Sequence, residues 1–255
     1  MTGTLSGCSV WLTRPSGQSG PWQAALEQQG ARVTLQPLLE IGPPPQPHHA
    51  LRALATAESA DFIMATSANA VASAWQLRPE FAPVGQLLAV GQATADALSR
   101  ATGRGVQTPA TASDSEGLLA LPALADMVGR RVALLGGAGG RALLAQALAD
   151  QGAQVDKVVL YQRVVVRIAP DVLAKLLAHN QVIVVTSGEA LAHLLDLAAH
   201  QQPALARCGL VVPSARVVQQ ASHALDWTTA PVAIERMGTA QLVEAVARVC
   251  QRRRQ

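Results

Sequence analysis

The stretch "RRVALLGGAGGRALLAQALADQGAQVDKV", residues 130–158, sets an apolar run, 132–135, before Gly137-Ala138-Gly139-Gly140-Arg141-Ala142. A helical pattern follows, then a second apolar stretch holding Asp156. The spacing fits the G-x-G-x-x-G/A dinucleotide fingerprint, with an acid placed for a ribose. It fits equally any strand that turns tightly into a helix, because glycine tolerates the backbone such a turn needs. The loop poses the question of a nucleotide without answering it.

The same pattern occurs earlier in the chain. "VWLTRPSGQSGPWQAALEQQGARVTLQPLLEI" from Val10 lies without gaps over "VALLGGAGGRALLAQALADQGAQVDKVVLYQR" from Val132. The two share Leu12/Leu134, Gly17/Gly139, Leu26/Leu148 and Gln29-Gly30-Ala31 with Gln151-Gly152-Ala153. Each copy reads strand, glycine-bearing loop, amphipathic helix, Gly cap, strand. "DFIMATSANAV" (61–71) pairs likewise with "QVIVVTSGEAL" (181–191), each ending a β-rich run in Thr-Ser before a helix. "LLAVGQATADAL" (87–98) pairs with "GLVVPSARVVQQA" (209–221), and Ser115-Glu116-Gly117-Leu118-Leu119 with Thr239-Ala240-Gln241-Leu242-Val243.

Strands alternating with helices predict two similar doubly wound α/β domains with parallel sheets. In such sheets ligands sit at the carboxyl ends of the strands, near helix N-termini. The loops at 13–15, 66–67, 91, 136–140, 186–187 and 213–214 are expected to line one such rim. Two extended segments, 37–41 and 159–163, lack helical period, and the first leads into "GPPPQPHH", which reads as an extended connector. They are compatible with a simple halving of the chain or with a middle domain inserted into one built from both ends.

The 255 residues suit two domains. With 49% hydrophobic and 15% charged residues, the composition is that of a globular chain and excludes a disordered one. The net charge of +3 is matched by Arg252, Arg253 and Arg254, so the body carries no nucleic-acid footprint. Cys8, Cys208 and Cys250 are odd in number and widely spaced, suggesting neither a disulfide framework nor a zinc site, and reduced cytosol fits. Six scattered histidines, His48 and His49 among them, read as surface residues, with no metal expected. No signal peptide is read at the N-terminus, and no apolar run reaches the roughly 20 residues of a membrane span. No Gly-x-Ser-x-Gly elbow or Ser/His/Asp set is evident.

"LTRPSGQSGPWQAALEQQGARVTLQPLLEI", "MATSANAV", "AVGQATADAL", "SEGLLAL", "GGRALLAQALADQGAQVDKVVLYQR" and "VVTSGEAL", in this order, resemble uroporphyrinogen-III synthases over essentially the whole chain. The resemblance implies a cofactor-free cytoplasmic lyase of tetrapyrrole (haem) biosynthesis. Such an enzyme cyclises hydroxymethylbilane to uroporphyrinogen III with loss of water, inverting ring D through a spiro intermediate. It further implies two α/β domains joined by a two-stranded β-ladder with substrate in the cleft between them. That favours a discontinuous domain 1 (1–38 plus 164–255) and an inserted domain 2 (39–163), with linker strands at about 37–42 and 159–165. A monomer is implied, with transient contact to the upstream deaminase and no nucleic acid or membrane partner.

That reaction needs a flexible eight-carboxylate chain held in a curled shape and help for a departing hydroxide. Carboxylates need donors, and the candidates are backbone N–H groups at Gly139 and Gly140 and the hydroxyls of Thr13, Thr66, Ser67, Ser113, Thr186 and Ser187. Tyr161, the sole tyrosine, sits where the family carries the residue proposed to assist hydroxyl loss. Its alternative is interdomain packing. Arg14 is a candidate bidentate clamp on a propionate or acetate, or an arginine bonding loop carbonyls. Arg141, at a helix start disfavoured for a cation, suits an anionic ligand or solvent. Asn69, Thr66 and Ser67 suit ligand contact or ordinary capping. Thr94 matches the family's G-x-x-T loop. Val212-Pro213-Ser214-Ala215-Arg216 departs from it, leaving Ser214 as a substitute hydroxyl. A non-catalytic anion-binding protein and a nucleotide-dependent enzyme remain the alternative functions.

Overall fold

The computed structural model describes residues 3–109, 115–140, 142–234 and 238–253. Along the chain they form β1 (Ser9–Leu12), α1 (Gly20–Gln28), β2 (Arg32–Leu35), β3 (Leu39–Gly42), α2 (Pro47–Ala57), β4 (Phe62–Ala65), α3 (Ala68–Leu77), β5 (Gln86–Ala89), α4 (Gln92–Thr102) and α5 (Ser115–Leu119). There follow β6 (Arg131–Gly137), α6 (Ala142–Asp150), β7 (Gln154–Val165), α7 (Pro170–His179), β8 (Val182–Val184), α8 (Gly188–Leu197), α9 (Gln202–Ala206), β9 (Gly209–Val212), α10 (Ala215–Ala224), β10 (Val232–Ala233) and α11 (Thr239–Arg252).

Local sequence explains most boundaries. β1, β4 and β9 are four-residue strands, apolar except for Ser9 and buried at every position, as strands covered on both faces must be. The Thr-Ser pairs end β4 and β8, and the serine caps the next helix: Ser67 Oγ accepts from Ala70 N–H at 3.1 Å and Ser187 Oγ from Ala190 N–H at 3.0 Å. The repeated Gln-Gly-Ala places Gly30 and Gly152 at φ 88°, a left-handed stop that releases α1 and α6 into the next strand.

The chain divides into two compact units, Met1–Glu40 with Val164–Gln255, and Ile41–Arg163. The first unit holds the sheet β10-β9-β8-β1-β2 and the second β3-β7-β6-β4-β5. The pairs β1·β2, β1·β8, β8·β9, β9·β10, β4·β5, β4·β6 and β6·β7 are all parallel. The repeat is realised strand for strand: β2-β1-β8-β9 of one sheet corresponds to β7-β6-β4-β5 of the other. A parallel bridge from Leu88 to Gln107 takes the place of β10. The copies differ in chain order, since the first unit begins on the strand pair with which the second ends. β3, hydrogen-bonded to β7, is additional, and both unit boundaries fall within these two strands.

Alternation along each strand builds the layers. In the first unit Trp11, Ile183 and Leu210 face α7, α8 and α10 through Leu177, Leu191 and Val217. Val10, Val182 and Val211 face α1 and α11 through Leu26, Val246 and Val249. In the second, Ile63 and Leu135 meet Leu54, Val71 and Leu98, while Met64 and Leu134 meet Leu118, Leu144 and Leu148.

Two expectations are corrected. The proline-rich "GPPPQPHH" is not extended throughout, because Pro47 opens α2 from its first turn, where a missing N–H costs nothing. Cys8 and Cys250 are joined, Cα–Cα 6.5 Å, where spacing suggested no pairing. They lie 242 positions apart, a proximity created only when α11 packs on the β1 layer. The loops expected at the rim follow the carboxyl ends of strands in both sheets, one set in each unit. Among the described residues no helix is long and apolar enough to cross a membrane.

Candidate active site

In the first unit, Thr13, Arg14, Thr186, Ser187 and Ser214 follow β1, β8 and β9, three neighbouring parallel strands. Thr13 is buried, and its hydroxyl donates to Val184 O at 2.8 Å, tying β1 to β8. The Arg14 guanidinium lies 4.6 Å from the centroid of the buried Trp22 ring, a cation–π contact rather than a bond to loop carbonyls. Burial lowers its pKa from the ordinary arginine value. Ser187 caps α8, Thr186 is half-buried beside it, and Ser214 stands at the α10 cap position without a side-chain cap bond.

In the second unit, Thr66, Ser67 and Asn69 follow β4, Thr94 follows β5, Gly139 and Gly140 follow β6, and Tyr161 lies on β7. Thr66 repeats the Thr13 arrangement, its hydroxyl donating to Leu135 O at 3.0 Å. Thr94, in the first turn of α4, is buried. Arg141 and Ser113 lie outside the described residues.

β6 extends to Gly137, two residues past the apolar run, and the added length matters. Gly136 pairs with Val159, but Gly137 pairs with Tyr161, so β7 carries one extra residue there. Such a bulge re-aims the side chains that follow it. Val158 and Leu160 point into one layer by alternation, and the bulge sends Tyr161 into that same layer. The ring packs against Gly137, where an added Cβ would lie 2.5 Å from Tyr161 Cζ. The phenolic oxygen lies 3.2 Å from Ser67 Oγ. Tyr161 is 6% exposed, and Ala138 N–H donates to its carbonyl at 2.8 Å. The first glycine of the apparent dinucleotide fingerprint thus makes room for a tyrosine.

Gly139, at φ 76°, takes the left-handed turn that leads to α6. Beside it lies a cavity of about 210 Å³ lined by Thr66, Gly136, Gly137, Gly139, Gly140 and Lys157, among others. A neighbouring pocket of about 360 Å³ is lined by Gln46, His49, Ala138, Gly139 and Val159, with Pro45. Lys157 and His49 were not singled out from sequence. The signal for Lys157 was its strand parity with Val159, and for His49 the start of α2 at Pro47. Thr66, Ser67, Gly139, Gly140 and Tyr161 are therefore gathered in one unit. Thr13, Arg14, Thr186, Ser187 and Ser214 belong to the other.

Two doubly wound α/β units, with hydroxyls and glycine turns at the strand carboxyl ends and a single buried tyrosine among them, define a duplicated ligand-binding α/β protein. The family model described as uroporphyrinogen-III synthase HemD matches residues 20–243. The chain belongs to the uroporphyrinogen-III synthase family. It is 31% identical over 239 residues to the uroporphyrinogen-III synthase of Escherichia coli, covering 88% of this chain and 94% of that one. It is 32% identical over 203 residues to the enzyme of that name from Synechococcus elongatus, covering 76% of each. Solved uroporphyrinogen III synthases from Thermus thermophilus (TM-score 0.62, 20% identity, 96% of this chain and 100% of that one) and Helicobacter pylori (TM-score 0.58, 13% identity, 93% and 96%) share the fold. The family match does not favour the nucleotide-dependent or the non-catalytic reading.

Proposed function

We propose that the chain acts as a uroporphyrinogen-III synthase, cyclising hydroxymethylbilane to uroporphyrinogen III with release of water and inversion of ring D. The observation that carries the chemistry is the single tyrosine, its hydroxyl held beside a helix cap at the carboxyl edge of the second sheet. In this reading the C–O bond of the hydroxymethyl group breaks with its electron pair on oxygen. The Tyr161 proton turns that oxygen into water, and the pyrrole nitrogen pair fills the vacated bond to give an azafulvenium. Ring D attacks through its substituted carbon to give the spiro intermediate, which opens and recloses with the ring reversed. The proton lost on final rearomatisation returns to the tyrosinate, so one water leaves and the enzyme is unchanged.

The substrate's carboxylates call for hydrogen-bond donors and cations. We assign these to the Gly139 and Gly140 turn, to Thr66, Asn69 and Thr94, and to Arg141, with Lys157 and His49 at the same loop. In the first unit we assign Arg14, Thr13, Thr186, Ser187 and Ser214. The Thr13 and Thr66 hydrogens already bond carbonyls, which leaves their oxygens as acceptors, and Gly140 N–H donates to Gly137 O at 3.3 Å, so the Gly139 amide and the cations are the stronger grips. A cytoplasmic monomer, receiving its unstable substrate by transient contact with the upstream deaminase and using no cofactor, completes the reading.

Fresh hydroxymethylbilane, followed by oxidation and separation of the type I and type III uroporphyrins, tests it. The expected product is type III. Type I alone, the uncatalysed closure product, overturns the proposal.

A further inference from the structure

We infer that Ser67 and Gly137 are positioning residues that fix Tyr161 as the proton donor, Ser67 holding the phenolic oxygen and Gly137 seating the ring. The inference deepens the reading above and rests on it.

Three observations converge. The bulge at Gly136/Gly137 breaks strand alternation and turns Tyr161 onto the layer of Leu160, toward the start of α3. The ring then occupies the space where residue 137 would carry a Cβ, so no larger residue fits there without displacing the tyrosine. Gly137 is not among the residues with positive φ, so the requirement is for space and not for backbone freedom. Finally, Ser67 is the α3 cap: its oxygen accepts from Ala70 N–H at 3.1 Å and lies 3.2 Å from the Tyr161 oxygen.

Hydrogen accounting decides what that contact can do. A serine hydroxyl has one hydrogen and two acceptor sites. One acceptor site of Ser67 is taken by Ala70, and the hydrogen can point to Tyr161. With Ser67 donating, the phenolic hydrogen is left to aim at a substrate hydroxyl. As that hydrogen transfers, the tyrosinate oxygen gains charge and the Ser67 bond becomes charge-assisted, roughly doubling in strength. The contact is thus stronger in the transition state than in the ground state, which is what raises turnover rather than binding. Because the cap ties Ser67 to the α3 backbone, the donor arrives at a fixed position with little entropy left to lose.

Tyr161 is the only tyrosine, so the tyrosine Fermi doublet in the ultraviolet resonance Raman spectrum reports the hydrogen-bond state of this one hydroxyl. The variants are Ser67→Ala, which removes both cap and donor, Ser67→Asp, which keeps a cap acceptor but has no hydrogen to give, and Ser67→Thr, which keeps both. Circular dichroism and melting establish that each is folded, with Ser67→Asp holding the cap where Ser67→Ala loses it. The expected result is a shifted doublet and a kcat about tenfold lower in the Ala and Asp variants, the size of one lost hydrogen bond, with wild-type behaviour restored in Ser67→Thr. KM for hydroxymethylbilane stays close to wild type in the Ala variant. An unchanged doublet, or wild-type kcat in both Ala and Asp variants, overturns the inference. Failure of the parent reading looks different: the wild type then yields only type I product, while the doublet still responds to Ser67.

Discussion

The carboxyl edges of the two sheets are built to one plan and equipped differently. Thr13 ties β1 to Val184 and Thr66 ties β4 to Leu135. Ser187 caps α8 and Ser67 caps α3. In the aligned copies Pro15 stands where the second has Gly137, and Leu39 where it has Tyr161. Leu39 is buried in the apolar layer of its own unit. Ser187 therefore remains a cap, whereas Ser67 meets a phenol. Both copies carry the serine cap because both helices need it, and only the second pairs a tyrosine with a glycine that leaves it room. A repeated motif marks a structural need first, and chemistry is found where the copies diverge.

Variants that act on that divergence carry the largest expected effects. Tyr161→Phe is expected to lower kcat on the order of 10³-fold, within the range for a lost general acid, with KM little changed. Steady-state kinetics with fresh substrate checks this, and an undiminished kcat dismisses the role. Gly137→Ala pushes the ring from its seat and is expected to cost on the order of 10²-fold in kcat, the scale of a misplaced reacting group. Gly17, the repeat partner of Gly139, gives the control: it has nothing within 4 Å of an added Cβ, so Gly17→Ala leaves the melting temperature and the tyrosine Raman doublet as they were.

The shared caps provide a milder comparison. Ser67→Ala and Ser187→Ala are each expected to lower stability by about 1 kcal/mol in urea unfolding, the usual value of a cap. Only the first alters the Tyr161 doublet. Equal spectral responses would mean that the two serines are equivalent after all.

An effect confined to alkaline pH lies away from both rims. Cys208 is a buried free thiol whose pKa burial pushes up from 9.0 to about 11, with Arg253 and Arg207 opposing. Its sulfur contacts the carbonyls of Leu177, Asn180 and Ala204. Between those values the folded chain holds a proton that the unfolded chain has lost, so stability is complete below about pH 9 and falls toward pH 11. The loss is on the order of 2 kcal/mol. Cys208→Ala, compared with wild type by urea unfolding across that window, is expected to flatten this part of the pH dependence.

The sheets and the duplication were legible in the sequence, since four-residue apolar runs, Thr-Ser caps and Gln-Gly-Ala stops act within a few residues of themselves. Tyr161 stood out as the only tyrosine. Its surroundings did not. The alternation of β7 places Tyr161 opposite Leu160, and only the bulge reverses that; a bulge depends on a partner strand more than twenty positions away in sequence. The Gly137 requirement was left open between a dinucleotide turn and any tight strand-to-helix turn for the same reason, because a missing side chain does not say what fills its place. Lys157 and His49 are brought to one loop by the pairing of β6 with β7 and by the start of α2.

The sequence by itself determined two copies of a parallel α/β unit, their caps and turns, and the family, because these follow from local periodicity and from an ordered set of motifs. Tertiary structure alone decided which hydroxyls are already committed to carbonyls, that Cys8 meets Cys250, and that Gly137, Ser67 and Tyr161 form one arrangement. Those outcomes depend on contacts between distant segments, which come into being only when strands pair and layers pack.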